Sequence, residues 1–274
     1  MDSINILLTL DDKYIPQLKV FLTSLRINNP GECFFLFLIH SGIKEEYLSE
    51  VNVWCSKHGW RFFSLLIDDE LFAEAPSSKQ YPKEMYYRLL APYILPEDVM
   101  RIIYIDPDTL VINPLRPLWE MDMKGKPIAA ASHTGITEIA NGVNRIRLGT
   151  ESDYYNSGVL LIDTERARIE IIPEDIFAYV KEHQNLILPD QDVLNALYGK
   201  RILPLDDAIW NYDARNYSSY LLRSGGVQNE AWVMHNTAIL HFCGKAKPWK
   251  KSYIYRFGLL YLHYEEIAYR EWGN

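Results

Sequence analysis

The sequence has little cysteine, no long apolar run and no excess of positive charge. It contains three cysteines in 274 residues and no C-x-x-C pair, so one thiol is left over under any pairing and a disulfide scaffold is disfavoured. No run of 18 apolar residues occurs, and the opening M-D-S-I-N-I-L-L lacks the positive segment of a signal peptide. We therefore expect a cytoplasmic protein.

The charge balance bears on possible partners. The formal net charge is −8 at pH 7. A general nucleic-acid-binding protein needs a basic face that displaces counterions, so we do not expect nucleic acid as a partner. An anionic ligand held through a metal ion remains compatible with this charge. Aromatic residues make up 13% of the chain, and their rings stack well on sugars and bases.

Apolar strands alternate with amphipathic helices along the chain. Strands are predicted at residues 4–10, 33–39, 61–67, 101–105, 127–131, 159–162 and 201–205, with another ending at His241. Helices are predicted at 16–28, 44–58, 82–92 and 173–183, and from 189 onward. Such alternation predicts an α/β fold with a Rossmann-like, mostly parallel central sheet flanked by helices, which binds ligands at the carboxyl ends of its strands.

The end of the chain differs in composition from the rest. Residues 250–274 mix aromatic and basic side chains and predict a small helical, aromatic extension to a domain that spans residues 1–249. This extension either packs on the domain or rests on a membrane surface, which would place the protein at the inner face of the membrane.

The segment R-I-I-Y-I-D-P-D-T-L-V-I-N, residues 101–113, predicts a buried strand that ends on Asp106 and Asp108. Positions i and i+2 of a strand point the same way, so both carboxylates can converge on one object. A hard divalent cation such as Mg²⁺, Mn²⁺ or Ca²⁺ would neutralise them. An Asp/Pro turn at the strand end is the alternative, and the motif alone leaves both open.

Two further positions allow two interpretations each. His241 ends an apolar strand and precedes Lys245 and Lys247; it is either an ordinary core or surface histidine or part of a metal and phosphate site. Asn156, in N-S-G, is either a turn residue or an amide presented to a ligand.

The segments around Arg88 and Asp190 are also ambiguous. Arg88 lies among apolar neighbours, where its stem could simply cover the core. Asp190 and Asp192 suit the N-cap and first turn of a helix that follows Pro189, a role that leaves Gln191 unexplained.

Six motifs taken together resemble the retaining glycosyltransferases of family 8, a GT-A-fold group that includes lipooligosaccharide and lipopolysaccharide galactosyl- and glucosyltransferases and glycogenin. In chain order they are T-L-D-D-K-Y at 9–14, Y-Y-R-L at 86–89, Y-I-D-P-D-T-L-V at 104–111, Y-Y-N-S-G-V-L-L at 154–161, D-Q-D-V-L-N at 190–195 and H-F-C-G-K-A-K-P-W at 241–249. The resemblance implies a GT-A fold and transfer of glucose or galactose from a UDP-sugar to a glycan or lipid-linked acceptor.

The resemblance also implies roles for individual residues. Asp106, Asp108 and His241 would bind Mn²⁺, with Mg²⁺ as the other candidate ion, and the metal would act as a Lewis acid on the departing UDP. The residues implied to contact the nucleotide are Thr9, Asp11, Asp12, Tyr14, Asp106, Gly244 and Lys247. Those implied to surround the donor sugar are Arg88, His133, Asn156, Asp190 and Gln191.

Gln191 and Asp190 are the implied catalytic residues. Because an amide oxygen is a poor nucleophile, we favour front-face attack by the acceptor, with Gln191 stabilising positive charge on the sugar. The sequence departs from the family pattern at His133, where galactosyltransferases carry an aspartate, and at Lys13, which replaces a small polar residue. The alternative function is that of a catalytically silent nucleotide-sugar-binding protein.

Overall fold

A computed structural model describes residues 2–67, 84–132, 148–183 and 186–273. Its strands are β1 (Ile4–Thr9), β2 (Phe34–His40), β3 (Arg61–Leu66), β4 (Arg101–Ile105), β5 (Thr109–Val111), β6 (Ile128–Ala131), β7 (Val159–Asp163), β8 (Ile202–Leu205), β9 (Tyr212–Asp213) and β10 (Ile239–His241). Its helices are α1 (Ile15–Asn28), α2 (Glu45–Lys57), α3 (Glu84–Ile94), α4 (Arg116–Trp119), α5 (Thr164–Glu170), α6 (Pro173–Glu182), α7 (Pro189–Tyr198), α8 (Asp207–Trp210), α9 (Tyr217–Arg223), α10 (Glu230–Asn236) and α11 (Gly258–Trp272).

Seven strands form the central sheet, in the order β3-β2-β1-β4-β7-β6-β8. The neighbours β3, β2, β1 and β4 are parallel, and so are β6 and β8. This confirms the predicted mostly parallel sheet. The exception is β7, which runs antiparallel to both β4 and β6. Four of its five residues are buried, so its apolar sequence carries no sign of its direction.

The sheet buries apolar side chains on both faces. Along β1, Ile6 and Leu8 belong to one apolar cluster, whereas Leu7 belongs to another on the opposite face. Because successive strand residues point to opposite faces, burial on both sides requires an uninterrupted apolar run. Helix α1 covers the first face through side chains such as Phe21, and Pro16 suits its first turn because the proline φ matches the helix.

A second sheet of three strands, in the order β5-β10-β9, lies beside the first. Strand β10 runs antiparallel to β5 and parallel to β9. A third apolar cluster joins this sheet to α11 through residues such as Leu240, Tyr212 and Tyr261. The chain therefore passes from the large sheet to the small one between β4 and β5, where the two aspartates lie.

Helix α11 packs against α1 and contacts α2. The Asn28 amide donates to the Tyr264 hydroxyl over 2.8 Å, and the ring of Trp272 stacks on Trp54 with centroids 4.6 Å apart. The division of the chain at residue 249 stays a prediction. Within the described residues, no helix is long and apolar enough to cross a membrane.

Candidate active site

Strand pairing brings Asp106, Asp108 and His241 together. The Asp106 N–H donates to the Gly158 carbonyl over 2.8 Å, which extends the β4–β7 ladder by one step. In the second sheet His241 pairs with Thr109, and the Phe242 N–H donates to the Asp108 carbonyl over 3.0 Å. Asp106 and His241, which are 135 positions apart in the sequence, thus become neighbours through the β5–β10 register.

The three side chains form a compact cluster. His241 Nε2 lies 3.3 Å from Asp108 Oδ1 and 3.8 Å from Asp106 Oδ2. One donor atom from each residue lies within 4.8 Å of the other two. Both His241 and Asp108 are buried, with 3% and 8% of their surface exposed. The D-P-D segment bends the chain between β4 and β5, and its carboxylates together with His241 form a candidate metal site, so a structural and a metal-binding interpretation of the motif are compatible.

The surroundings act differently on the two carboxyl groups. Burial raises the pKa of Asp106 despite the attraction of the Arg88 guanidinium. Burial would raise the pKa of Asp108 too, but the His241 imidazole and the Lys247 ammonium outweigh it and hold that pKa below its ordinary value. Asp108 is therefore an anion at neutral pH, bonded by Lys247 on one oxygen and facing His241 on the other.

The donor set fits a divalent cation. Two carboxylate oxygens and one imidazole nitrogen converge, and this mixture suits ions such as Mn²⁺. A glycine faces the cluster from the β7 side, since a Cβ on Gly158 would collide with His241 and lie 2.7 Å from Asp106 Oδ2. The ordinary role of a core histidine does not describe His241, whose Nε2 faces two carboxylates.

Arg88 joins the aspartates of two motifs. Its Nη1 lies 3.2 Å from Asp106 Oδ1 and 3.2 Å from Asp190 Oδ2, and donates to the Ser157 carbonyl over 3.2 Å. The guanidinium carbon lies 4.7 Å from the centre of the Tyr104 ring. The arginine head therefore lies between Asp106 of the cluster and Asp190, and its stem does not merely cover the core.

Tyr104 and Ser157 bond the two aspartates that Arg88 joins, although the sequence did not single them out. The Tyr104 hydroxyl donates to Asp106 Oδ1 over 2.5 Å, and the Ser157 hydroxyl donates to Asp190 Oδ2 over 2.8 Å. Both lie inside quoted motifs, Y-I-D-P-D and N-S-G. Only the spatial approach of the motifs shows what their hydroxyls bond.

Asn156 presents its amide to Gln191 and also makes the local side-chain bond typical of a turn, so contact of this amide with a ligand stays a prediction. Its Nδ2 donates to Gln191 Oε1 over 3.1 Å, and its Oδ1 accepts from the Gly158 N–H over 2.9 Å. The same Oδ1 accepts from Asn211 Nδ2 over 2.9 Å. Asn211, which sequence reasoning missed, is completely buried between α8 and β9.

The predicted N-cap role of Asp190 is wrong. Leu188 occupies the N-cap position of α7, and Pro189 and Asp190 already belong to the helix. The N–H groups of Ile187 and Leu188 are instead satisfied by Asp192, at 2.8 and 3.2 Å. Asp190 is thereby free of a capping duty and bonds Arg88 and Ser157.

The residues expected to contact a nucleotide surround the end of β1 and the loop after β10. Asp11 caps the short turn Asp12–Tyr14 through the Lys13 N–H, and the Thr9 hydroxyl lies 3.2 Å from the Tyr104 hydroxyl. The Asp12 carboxylate accepts from the Lys44 N–H over 3.1 Å.

Tyr14 faces the loop after β10. Its ring meets Trp249 edge-on, with centroids 6.2 Å apart. In that loop Gly244 has a φ of +75°, and Lys247 bonds both Asp108 and the Phe242 carbonyl. His133 lies outside the described residues. The functional roles of all these residues stay predictions.

The mostly parallel sheet and the cluster at its strand ends define an α/β protein with the GT-A architecture. The crystal structure of the galactosyltransferase LgtC in complex with donor and acceptor sugar analogs superposes with a TM-score of 0.80 at 21% identity, covering 98% of this chain and all of that one. A profile described as Glycosyl transferase family 8 matches residues 5–252, so the chain belongs to that family.

Two curated relatives illustrate the range of similarity. General stress protein A of Bacillus subtilis is 31% identical, over 96% of this chain and 93% of its own. A lipopolysaccharide 1,2-glucosyltransferase of Escherichia coli is 23% identical, over 90% of this chain and 74% of its own.

Proposed function

We propose that this protein is a retaining glycosyltransferase that moves glucose or galactose from a UDP-sugar to a glycan or lipid-linked acceptor, with Mn²⁺ bound by Asp106, Asp108 and His241. The observation that carries the proposal is the convergence of these three side chains beside Lys247. A second polar cluster lies next to them and consists of Arg88, Asp190, Asn156 and Gln191. The similarity to a galactosyltransferase and to a glucosyltransferase supports both donor sugars.

In this proposal a bound metal ion and the Lys247 ammonium hold the diphosphate of the donor. A bound divalent ion would act as a Lewis acid that stabilises charge on the leaving nucleotide. Lys247, which bonds Asp108, would supply a second positive charge there. Asp11 and Tyr14 would bind the uridine by hydrogen bonding and ring stacking, since Asp11 caps and Tyr14 ends the turn that follows β1.

The second cluster would hold the donor sugar. Arg88 and Asp190 form an ion pair, and Gln191 is held by the Asn156 amide. Gln191 Oε1 already accepts from Asn156 and from the Ser157 N–H at 3.4 Å, so it is positioned before any sugar arrives. We infer front-face attack by the acceptor, with the Gln191 oxygen stabilising positive charge on the sugar carbon.

Donor turnover tests the proposal. Release of UDP is measured from UDP-glucose and UDP-galactose with Mn²⁺, with Mg²⁺ and with EDTA. We expect release with one of the two donors, loss in EDTA and loss in Asp108→Asn, which keeps the side-chain shape. The matched control is Asp122→Asn, which changes an exposed aspartate. Metal-independent release that survives Asp108→Asn would refute the metal role.

The UDP-release assay, combined with calorimetry and a glycan array, separates the transferase from a silent binding protein. UDP binding by calorimetry with neither hydrolysis nor transfer across a glycan array would favour the silent protein. Retention is tested by NMR of the transferred sugar, which should keep the α configuration of the donor. A β-linked product would refute the retaining mechanism.

We also propose that the protein works in the cytoplasm, where its C-terminal extension rests on anionic membrane lipids. Ile254 and Leu259 are 88% and 80% exposed and follow the exposed Lys250 and Lys251. We expect co-sedimentation with anionic but not with neutral vesicles, and its loss in Ile254→Ser/Leu259→Ser. The control Ile169→Ser changes an isoleucine that is also exposed, on α5. Equal sedimentation of wild type with both vesicles would refute the proposal.

A further inference from the structure

Asn211 connects the candidate metal ligand to the candidate catalytic amide. His241 Nδ1 and Asn211 Oδ1 are 2.8 Å apart. Asn211 Nδ2 donates to Asn156 Oδ1 over 2.9 Å, and Asn156 Nδ2 donates to Gln191 Oε1 over 3.1 Å. Three hydrogen bonds therefore run from the imidazole of His241 to the amide of Gln191.

The donor and acceptor directions of these three hydrogen bonds depend on one another. The Gly158 N–H donates to Asn156 Oδ1, which identifies that atom as the oxygen. Asn211 must therefore point its NH₂ group at Asn156 and its oxygen at His241. The imidazole consequently donates from Nδ1 and turns Nε2 toward Asp106 and Asp108.

Burial makes this arrangement hard to change. Asn211 is completely buried and Asn156 half-buried, and an unmade hydrogen bond at such positions costs more than an exposed one. Asn211 follows the last residue of α8, where its backbone N–H donates to the Asp207 carbonyl over 3.2 Å. It directly precedes β9, whose pairing with β10 places it beside His241.

We propose that Asn211 is a positioning residue with two duties: its oxygen orients His241 for the metal, and its NH₂ group orients Asn156 and, through it, Gln191. The inference rests on the proposed metal site. A hydrogen-bond partner on the remote nitrogen of a metal-binding histidine orients the ring, and losing it lowers metal affinity by about 10–100-fold.

Two substitutions separate the duties. Asn211→Ala removes both bonds, so we expect Mn²⁺ affinity to fall by about 10–100-fold. Asn211→Asp keeps an oxygen for His241 but replaces the donor to Asn156 with a second oxygen. Its Mn²⁺ affinity should equal or exceed that of wild type, whereas kcat falls at saturating Mn²⁺ and donor.

The measurements are calorimetric Mn²⁺ titration of the metal-free protein, and kcat and KM for UDP release. The control Asn29→Ala removes another buried amide, which bonds the Leu25 carbonyl and the Leu115 N–H and no residue of the cluster. It should lower thermal stability and leave Mn²⁺ affinity and kcat unchanged.

Several results would overturn the inference. Mn²⁺ affinity of Asn211→Ala within threefold of wild type refutes the first duty, and an undiminished kcat in Asn211→Asp refutes the second. If Asn211→Ala does not fold, weakened Mn²⁺ binding in Asn211→Asp decides against the first duty and unweakened binding supports it. Absence of Mn²⁺ binding in the wild type would instead refute the proposed metal site itself.

Discussion

Gly158 offers the sharpest test of the cluster, because a single methyl group there reaches His241, Asp106 and Asn156 together. Its Cβ, if present, would collide with His241 Cε1, lie 2.7 Å from Asp106 Oδ2 and 3.0 Å from Asn156 Oδ1. Favourable contacts between carbon atoms lie at about 3.5–4.0 Å, so at least one of these groups must move in Gly158→Ala.

The cost of Gly158→Ala follows from what those groups bond. His241 is held through Asn211, and Asp106 through Tyr104 and Arg88. Overpacking of such sites costs about 1–3 kcal/mol of the free energy of unfolding. We therefore expect a Tm several degrees lower, together with a loss of Mn²⁺ affinity of at least about tenfold because the donor atoms separate.

Gly31→Ala is the matched control. Gly31 has a φ of +81°, and a Cβ added there would meet nothing within 4 Å. Gly31→Ala therefore introduces only backbone strain, about 1–2 kcal/mol. Both variants should thus lose similar stability in thermal unfolding, but only Gly158→Ala should lose Mn²⁺ binding by calorimetry. Wild-type Mn²⁺ affinity in Gly158→Ala would show that the cluster does not hold the metal.

Three other variants test the packing and the electrostatics. Glu32→Gln breaks the largely buried ion pair with Arg116, whose hydrogen bond lowers the pKa of Glu32, so the pair stabilises the fold above the unfolded glutamate pKa of about 4.3 and this stabilisation is lost as pH falls below it. Urea unfolding should show a loss of about 1.5–3 kcal/mol in the free energy of unfolding at pH 7, and this loss should shrink below pH 4. Glu120→Gln changes the exposed partner of the same arginine and should show little loss at any pH, so equal losses in the two variants would contradict the burial argument. Tyr104→Phe removes a donor to Asp106 and should cost about 1.5–3 kcal/mol in the metal-free protein by the same method, with an unchanged value counting against that bond. Tyr264→Phe removes the acceptor of the Asn28 amide and should cost about 1 kcal/mol while leaving Mn²⁺ affinity unchanged; a change in affinity would mean that α11 is coupled to the site.

The local patterns determined most of the elements. Apolar runs predicted all seven strands of the central sheet. In the strands that are buried on both faces, such as β1, the run is uninterrupted because both sets of side chains lie in the core. Helical spacing together with Pro16 and Pro189 placed the beginnings of α1 and α7 to within a residue or two. The ordered motifs identified the family, which the match over residues 5–252 confirms.

Only the tertiary structure decided which distant residues contact one another. The antiparallel direction of β7 and the bonding of Asp190 depend on what lies beside them, and the sequence near each is compatible with either outcome. The sequence named His241 and Asn156 but not Asn211, because an asparagine between Trp210 and Tyr212 has no local feature that distinguishes it. Hydrogen bonds between elements are set by strand register, and register is a property of two strands together.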